Sequence, residues 1–260
     1  MIIDSHCHLN DERIYPKREE LVKDAVSKGV SLILVPGWDL ESSRLAVKIA
    51  NEFSECFAFV GFHPENLDSI NDENLKKIAD LAKDNKVVGI GEIGLDYHWF
   101  KDIKDHEKQK EWFIRQIDLA NELNLPISIH ARDASEDTLN LLKNHPIKRG
   151  AVLHCYSGSS ELLKEFAKLG YYFGFDGPVT YKNSITPKEN AKICPIDRML
   201  IETDSPYLSP TPYRGRDNCP SYVIEIAKAI AELRGMQLKD LLEITSENTK
   251  RLFHVEQKYE

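Results

Sequence analysis

The sequence predicts a closed (β/α)8 barrel of the TIM type, built as one domain over residues 1–260, and three observations predict it. Apolar runs alternate with segments of helical periodicity along almost the whole chain. Eight such runs can be counted, each apolar nearly throughout, as parallel strands buried on both faces are. The length of 260 residues suits one barrel, which typically takes about 250.

Taken in order, the first run is Ile2-Ile3-Asp4-Ser5, leading into His6-Cys7-His8. The next two end near Pro36 and Phe62, and Val87 to Gly91 leads into Glu92. Ile127-Ser128-Ile129 runs into His130, Ala151-Val152-Leu153 into His154, a seventh run ends near Phe175, and Met199 to Thr203 runs into Asp204. Between them, Leu21, Val22, Ala25 and Val26 repeat at helical spacing, as do Leu75, Ile78, Ala79 and Ala82, and then Phe113, Ile114, Ile117 and Leu119. Ser159-Ser160-Glu161 reads as one helix start and Asp133 before Ala134 as another. Two further helices are expected over Tyr222 to Arg234 and Leu238 to Phe253. No internal repeat, low-complexity tract or linker interrupts the pattern.

Composition narrows the function. Hydrophobic content of 42% with 29% charged residues is that of a soluble globular chain. No apolar run approaches the roughly 20 residues that span a bilayer, and the start lacks a basic segment followed by an apolar one, so no export signal is expected. The five cysteines form no C-x-x-C pair, and an odd count argues against a disulfide framework. A reducing cytoplasm is the expected location. The net charge of −8 does not provide the basic stripe of a protein that coats long duplexes. Any nucleic-acid contact should therefore be short and local.

The candidate site follows from where the polar residues fall. His6, His8, Glu92, His130, His154 and Asp204 each stand at the carboxyl end of an apolar run, and the first and last are 198 positions apart. A parallel barrel gathers such ends on one rim, where enzymes of this fold do their chemistry. Singly, each has a plain structural reading: a core histidine, a buried acid satisfied by backbone amides, an aspartate in an Asx-turn. Their recurrence at one structural location points instead to a metal centre. Imidazole suits zinc and similar ions, whereas carboxylate suits magnesium and manganese. Glu92, midway through the set, is the natural bridge between two divalent ions, one on His6 and His8, the other on His130 and His154. Asp204 would reach one ion and the water between them. Two ions about 3.5–4 Å apart can activate that water and stabilise the attacking and leaving oxygens of a displacement. Neither a G-x-S-x-G elbow nor a P-loop competes with this reading.

The motifs Asp4-Ser5-His6-Cys7-His8-Leu9, Gly61-Phe62-His63-Pro64, Gly91 to Tyr97 and Pro126 to Arg132 resemble those of the TatD family of metal-dependent hydrolases. So do His154 to Gly158, Glu202 to Leu208 and Tyr213 to Asn218. The resemblance runs in order from the first residues to about Phe253. It implies a barrel hydrolase with two divalent ions on His6, His8, Glu92, His130, His154 and Asp204. It also implies an activity among those of the family, which include 3′→5′ deoxyribonucleases acting on single strands or damaged ends and D-aminoacyl-tRNA deacylases. Cys219 departs from the glutamate usual before Pro220, in a loop that bears on substrate preference.

Around the expected ligands, His63 reads as a phosphate or leaving-group contact. Arg132 is the best phosphate clamp, the alternative being an ion pair with Glu202. Arg214 and Arg216 lie in a Pro- and Gly-rich loop after the eighth strand, a common anion site in barrels. Lys182 could join them, with Tyr181 offering a face for base stacking. Asp96 is expected to orient a ligand histidine, and Glu202 to stand beside the centre. Cys7 and Cys155 read as small buried thiols, and His98, His106, His145 and His254 carry no assigned role. The expected function is a metal-dependent exodeoxyribonuclease on single-stranded or damaged ends, the runner-up an aminoacyl-tRNA ester hydrolase on the same centre.

Overall fold

In a computed structural model describing residues 1–255, parallel strands pair in chain order: β1 (Ile2–Asp4), β2 (Val30–Pro36), β3 (Cys56–Val60), β4 (Val87–Asp96), β5 (Ile127–Arg132), β6 (Ala151–Leu153), β7 (Tyr172–Phe175) and β8 (Met199–Ile201). Residues 256–260 of the expected domain lie outside the described residues. The edge between β8 and β1 is closed by backbone bonds: Ser5 N–H donates to Ile201 O (3.1 Å), Asp204 N–H to His6 O (2.9 Å) and His8 N–H to Ser205 O (2.8 Å). The eight-stranded TIM barrel is thus formed.

Alternation along each strand divides the core into two layers. Ile3, Leu32, Leu34, Phe57, Phe59, Val88, Val152, Tyr172 and Leu200 fill the barrel interior together with Leu252, Phe253 and Val255. Ile33, Val35, Ala58, Val60, Ile90 and Ile129 face the surrounding helices instead. Those helices are α1 (Arg18–Ser27), α2 (Leu40–Glu52), α3 (Asp72–Leu81), α4 (Ile103–Leu123), α5 (Ser135–Asn144), α6 (Ser160–Lys168), α7 (Thr186–Ile193), α8 (Val223–Arg234) and α9 (Leu238–Phe253). α9 ends by inserting Phe253 beneath Phe59, ring centroids 4.9 Å apart, so this end of the barrel is plugged with apolar side chains. The polar residues are left for the opposite rim.

Helix starts follow local chemistry. Ser159 accepts a bond from Leu162 N–H and caps α6 as its sequence suggests. Asp133 does not cap α5; the preceding residue is Ala134 with no side-chain cap, and Asp133 has φ +54° with its carboxylate on His98 Nδ1 at 3.0 Å. A second difference concerns β4, which does not end at Glu92 but runs on to Asp96. Its pairing with β5 shifts between Ile90 and Ile93, so three steps of β4 face two of β5. Such a bulge re-aims a side chain without ending the strand. Glu92 and Asp96 therefore both reach the site from one strand.

Candidate metal centre

The two oxygens of Glu92 face two separate groups of imidazoles. Oε2 lies 3.4 Å from His6 Nε2 and 3.6 Å from His8 Nε2. Oε1 lies 2.8 Å from His154 Nε2, 2.9 Å from His130 Nδ1 and 3.4 Å from His63 Nε2. His6 and His8, two apart on the extended chain leaving β1, turn the same way and bring their Nε2 atoms within 3.2 Å. Asp204 completes the first group, its Oδ1 3.3 Å from His8 Nε2 and 3.8 Å from His6 Nε2. All six side chains predicted as ligands meet here.

The donors fit a cation. Metal bonds of about 2.0–2.1 Å in a tetrahedral shell set neighbouring donors about 3.4 Å apart. The spacings of 3.2, 3.3, 3.4, 3.6 and 3.8 Å in the first group lie near that value, the longest being His6 to Asp204. Ser128 Oγ stands 3.5 Å from His6 Nδ1, so it is Nε2 that faces the carboxylates. Lone pairs converging in a buried pocket require a positive charge among them. The charge state is consistent. Burial opposes ionisation of Glu92, but His154 and His63 beside it, with bonds from His130 and His154, hold its carboxyl well below the usual carboxylate range. Burial likewise opposes charge on Asp204, but His8, with His154 and His6 nearby, holds its carboxyl below the usual range.

A second layer holds these donors in place. His130 Nε2 is 2.9 Å from Asp96 Oδ2, and Asp96 is itself fixed by N–H donors from His98 (2.8 Å) and Trp99 (3.0 Å). Glu202, fully buried, accepts from Cys155 N–H (2.6 Å) and Ser5 Oγ (3.1 Å), and its Oε1 is 3.5 Å from His154 Nδ1. Gly174 of β7 makes room for it, since a Cβ there would collide with the Glu202 carboxylate. Asp4 braces the barrel seam by accepting from Thr203 N–H (2.8 Å) and Thr203 Oγ1 (2.6 Å). The chains leading to His6 and to Asp204 are thereby tied together.

His63 is a special case. Its Nδ1 accepts from Glu65 N–H at 3.2 Å, which puts the ring proton on Nε2, the atom facing Glu92. It is thus a hydrogen-bond donor into the centre rather than a free lone pair.

With this geometry in hand, comparison with known proteins gives a consistent result. The family described as TatD related DNase matches residues 3–254. The chain belongs to the TatD family. The metal-dependent hydrolase YabD of Bacillus subtilis is 45% identical over 256 residues, 98% of this chain and the whole of the relative. A protein of Escherichia fergusonii named 3′-5′ ssDNA/RNA exonuclease TatD is 34% identical, covering 98% of this chain and 99% of its own. The crystal structure of YjjV, a TatD homologue of Escherichia coli K12, superposes with a TM-score of 0.92 at 29% identity, covering 98% of each chain. The protein is a metal-dependent hydrolase of the TatD family.

Beyond the centre of this TatD-family barrel, the predicted substrate residues divide. Arg214 lies with its guanidinium 3.9 Å over the ring of Tyr181, whose hydroxyl donates to Ser209 O at 3.2 Å. Lys182 and Arg216 are exposed. Arg132 does not pair with Glu202, whose oxygens are taken by Ser5, Cys155 and His154. Its guanidinium stands 5.5 Å over the ring of Trp99, which is 64% exposed. Trp99 was not singled out from the sequence, nor was Tyr207, which packs edge-on to His8 at 6.0 Å and donates to Asp11 Oδ2 at 2.7 Å. The available signal was an aromatic residue three positions after Asp96 and after Asp204. Among the described residues no helix is long and apolar enough to cross a membrane, and the five cysteines are free.

Proposed function

We propose that the protein is a 3′→5′ exodeoxyribonuclease that hydrolyses phosphodiester bonds at single-stranded or damaged DNA ends, using two divalent ions (magnesium, manganese or zinc). The observation that carries this reading is the division of Glu92 between two groups of donors. A carboxylate with one oxygen toward His6 and His8 and the other toward His130 and His154 suits a bridge between two ions. Two ions held by these residues would supply a water activated near neutral pH and would neutralise charge on the phosphate. Asp204 would accept a proton from the attacking water, since its carboxyl is held below the usual range by His8 and its Oδ1 faces the His6–His8 side. His63 donates from Nε2 to the departing oxygen. Arg214 grips a phosphate while Tyr181 presents a ring to the adjoining base. Arg132, Lys182 and Arg216 extend this basic rim.

The acidic net charge of −8 favours a short strand end over a long duplex as substrate. The name carried by the Escherichia fergusonii relative agrees with this choice. Free cysteines suit work in a reducing cytoplasm. The test is a substrate panel with purified protein and each metal in turn. Successive release of mononucleotides from the 3′ end of a single strand supports the reading. Release of amino acid from a D-aminoacyl-tRNA, with single strands left intact, would transfer the same centre to ester hydrolysis.

A further inference from the structure

Next to the centre, at the ends of β6, β7 and β8, Cys155, Asp176 and Asp204 each offer a donor atom, all within 4.8 Å of one another. We propose that these three residues form an additional cation site, suited to a thiophilic divalent ion of the zinc class. Asp176 carries the argument. It is only 6% exposed. It precedes a 3-10 turn (Gly177–Thr180), where an aspartate ordinarily caps the free N–H groups, yet its side chain makes no capping bond. Its Oδ2 is buried without a nitrogen or oxygen partner, and the hydrogen-bonding neighbour its carboxyl does have is the thiol of Cys155. The charged groups beside it include two more carboxylates, Asp204 and Glu202. A buried carboxylate in such company needs a cation or a proton.

The thiol decides which cation. Cys155 has φ +43° and Asp204 φ +55°, both in the left-handed region that residues with a side chain enter at a cost. Cys155 is held there by its N–H on Glu202 Oε1 at 2.6 Å. The bends bring a sulfur and two carboxylates from neighbouring strand ends to one point. Sulfur with carboxylate selects a zinc-class ion over magnesium. The six ligands proposed for the main centre contain no sulfur, so the two sites differ in chemistry while sharing Asp204. The inference does not depend on which bond the enzyme hydrolyses.

The full-length protein, stripped with a chelator and reloaded with cobalt(II) in place of zinc, provides the test. A thiolate-to-cobalt charge-transfer absorption should grow in the near ultraviolet with the last equivalent bound. Cys155→Ser should abolish it and lower the total by one ion relative to the unsubstituted protein, whatever that total is. Asp176→Asn should weaken the same equivalent by about tenfold or more and leave the others unchanged. Absence of the absorption from the unsubstituted protein, or its survival in Cys155→Ser, would overturn the proposal and leave Asp176 holding a proton.

Discussion

Asp96 Oδ2 and His130 Nε2 lie 2.9 Å apart, while the other nitrogen of that imidazole is 2.9 Å from Glu92. The ring is therefore held between two carboxylates of one strand, four residues apart. Asp96 fixes the ring plane and leaves Nδ1 directed at the centre. Substituting such an orienting partner typically costs about 10–100-fold in metal affinity or activity. Asp96→Asn should lower metal affinity by an amount in that range, read by competition with a chromophoric chelator. Unchanged affinity would make Asp96 a structural acid of the β4 end.

Asp4 gives a pH dependence whose sign can be worked out. Burial pushes its carboxyl up to about 8, against the lowering effect of the Thr203 bonds. The folded chain therefore prefers the neutral acid, while the unfolded chain ionises near 4. Stability tied to this group falls as pH rises from about 4 towards 8. Asp4→Asn mimics the neutral form. With metal removed, thermal unfolding of the variant should lose less stability between mildly acidic and mildly alkaline pH than the unsubstituted protein. Parallel curves would contradict this.

The order of strands was legible because both faces of each are buried. Val30 to Pro36 and Cys56 to Val60 are apolar runs with almost no exposed position. The ligands were legible because a parallel barrel offers one rim, and the histidines and acids of those runs fall at that end, whereas Ser31 and Ser128 inside the runs are small and uncharged. Register was not legible. The shift between Ile90 and Ile93 that sends Glu92 inward is a property of pairing with β5, which no local pattern encodes. Nor were partners set by distant strands. Glu202 meets Ser5 and Cys155 instead of Arg132, and Asp133 leaves its helix for His98.

Arg214, stacked on Tyr181 at 3.9 Å, tests the grip on substrate. On single strands each neutralised phosphate contributes about 0.7 to the slope of log affinity against log salt. Arg214→Ala should weaken binding of a non-hydrolysable single strand and flatten that slope by about 0.7. A slope and affinity like those of the unsubstituted protein would return Arg214 to the solvated surface.

Asp204 allows ligand and base to be separated. Asp204→Asn keeps a coordinating oxygen but removes charge and basicity. General-base assistance typically contributes about 10²–10⁴ in rate, so turnover should fall at least that far with most of the metal retained. Near-normal turnover would leave the base role elsewhere.

The most direct measurement is the number of ions bound per chain, by elemental analysis after saturation with manganese, an ion that makes little use of the sulfur of the neighbouring site. The unsubstituted protein should hold two, His130→Ala close to one, and Glu92→Ala fewer than His130→Ala, since Oε2 faces His6 and His8 while Oε1 faces His130 and His154. One ion in the unsubstituted protein, or two retained by Glu92→Ala, would contradict a centre bridged by Glu92.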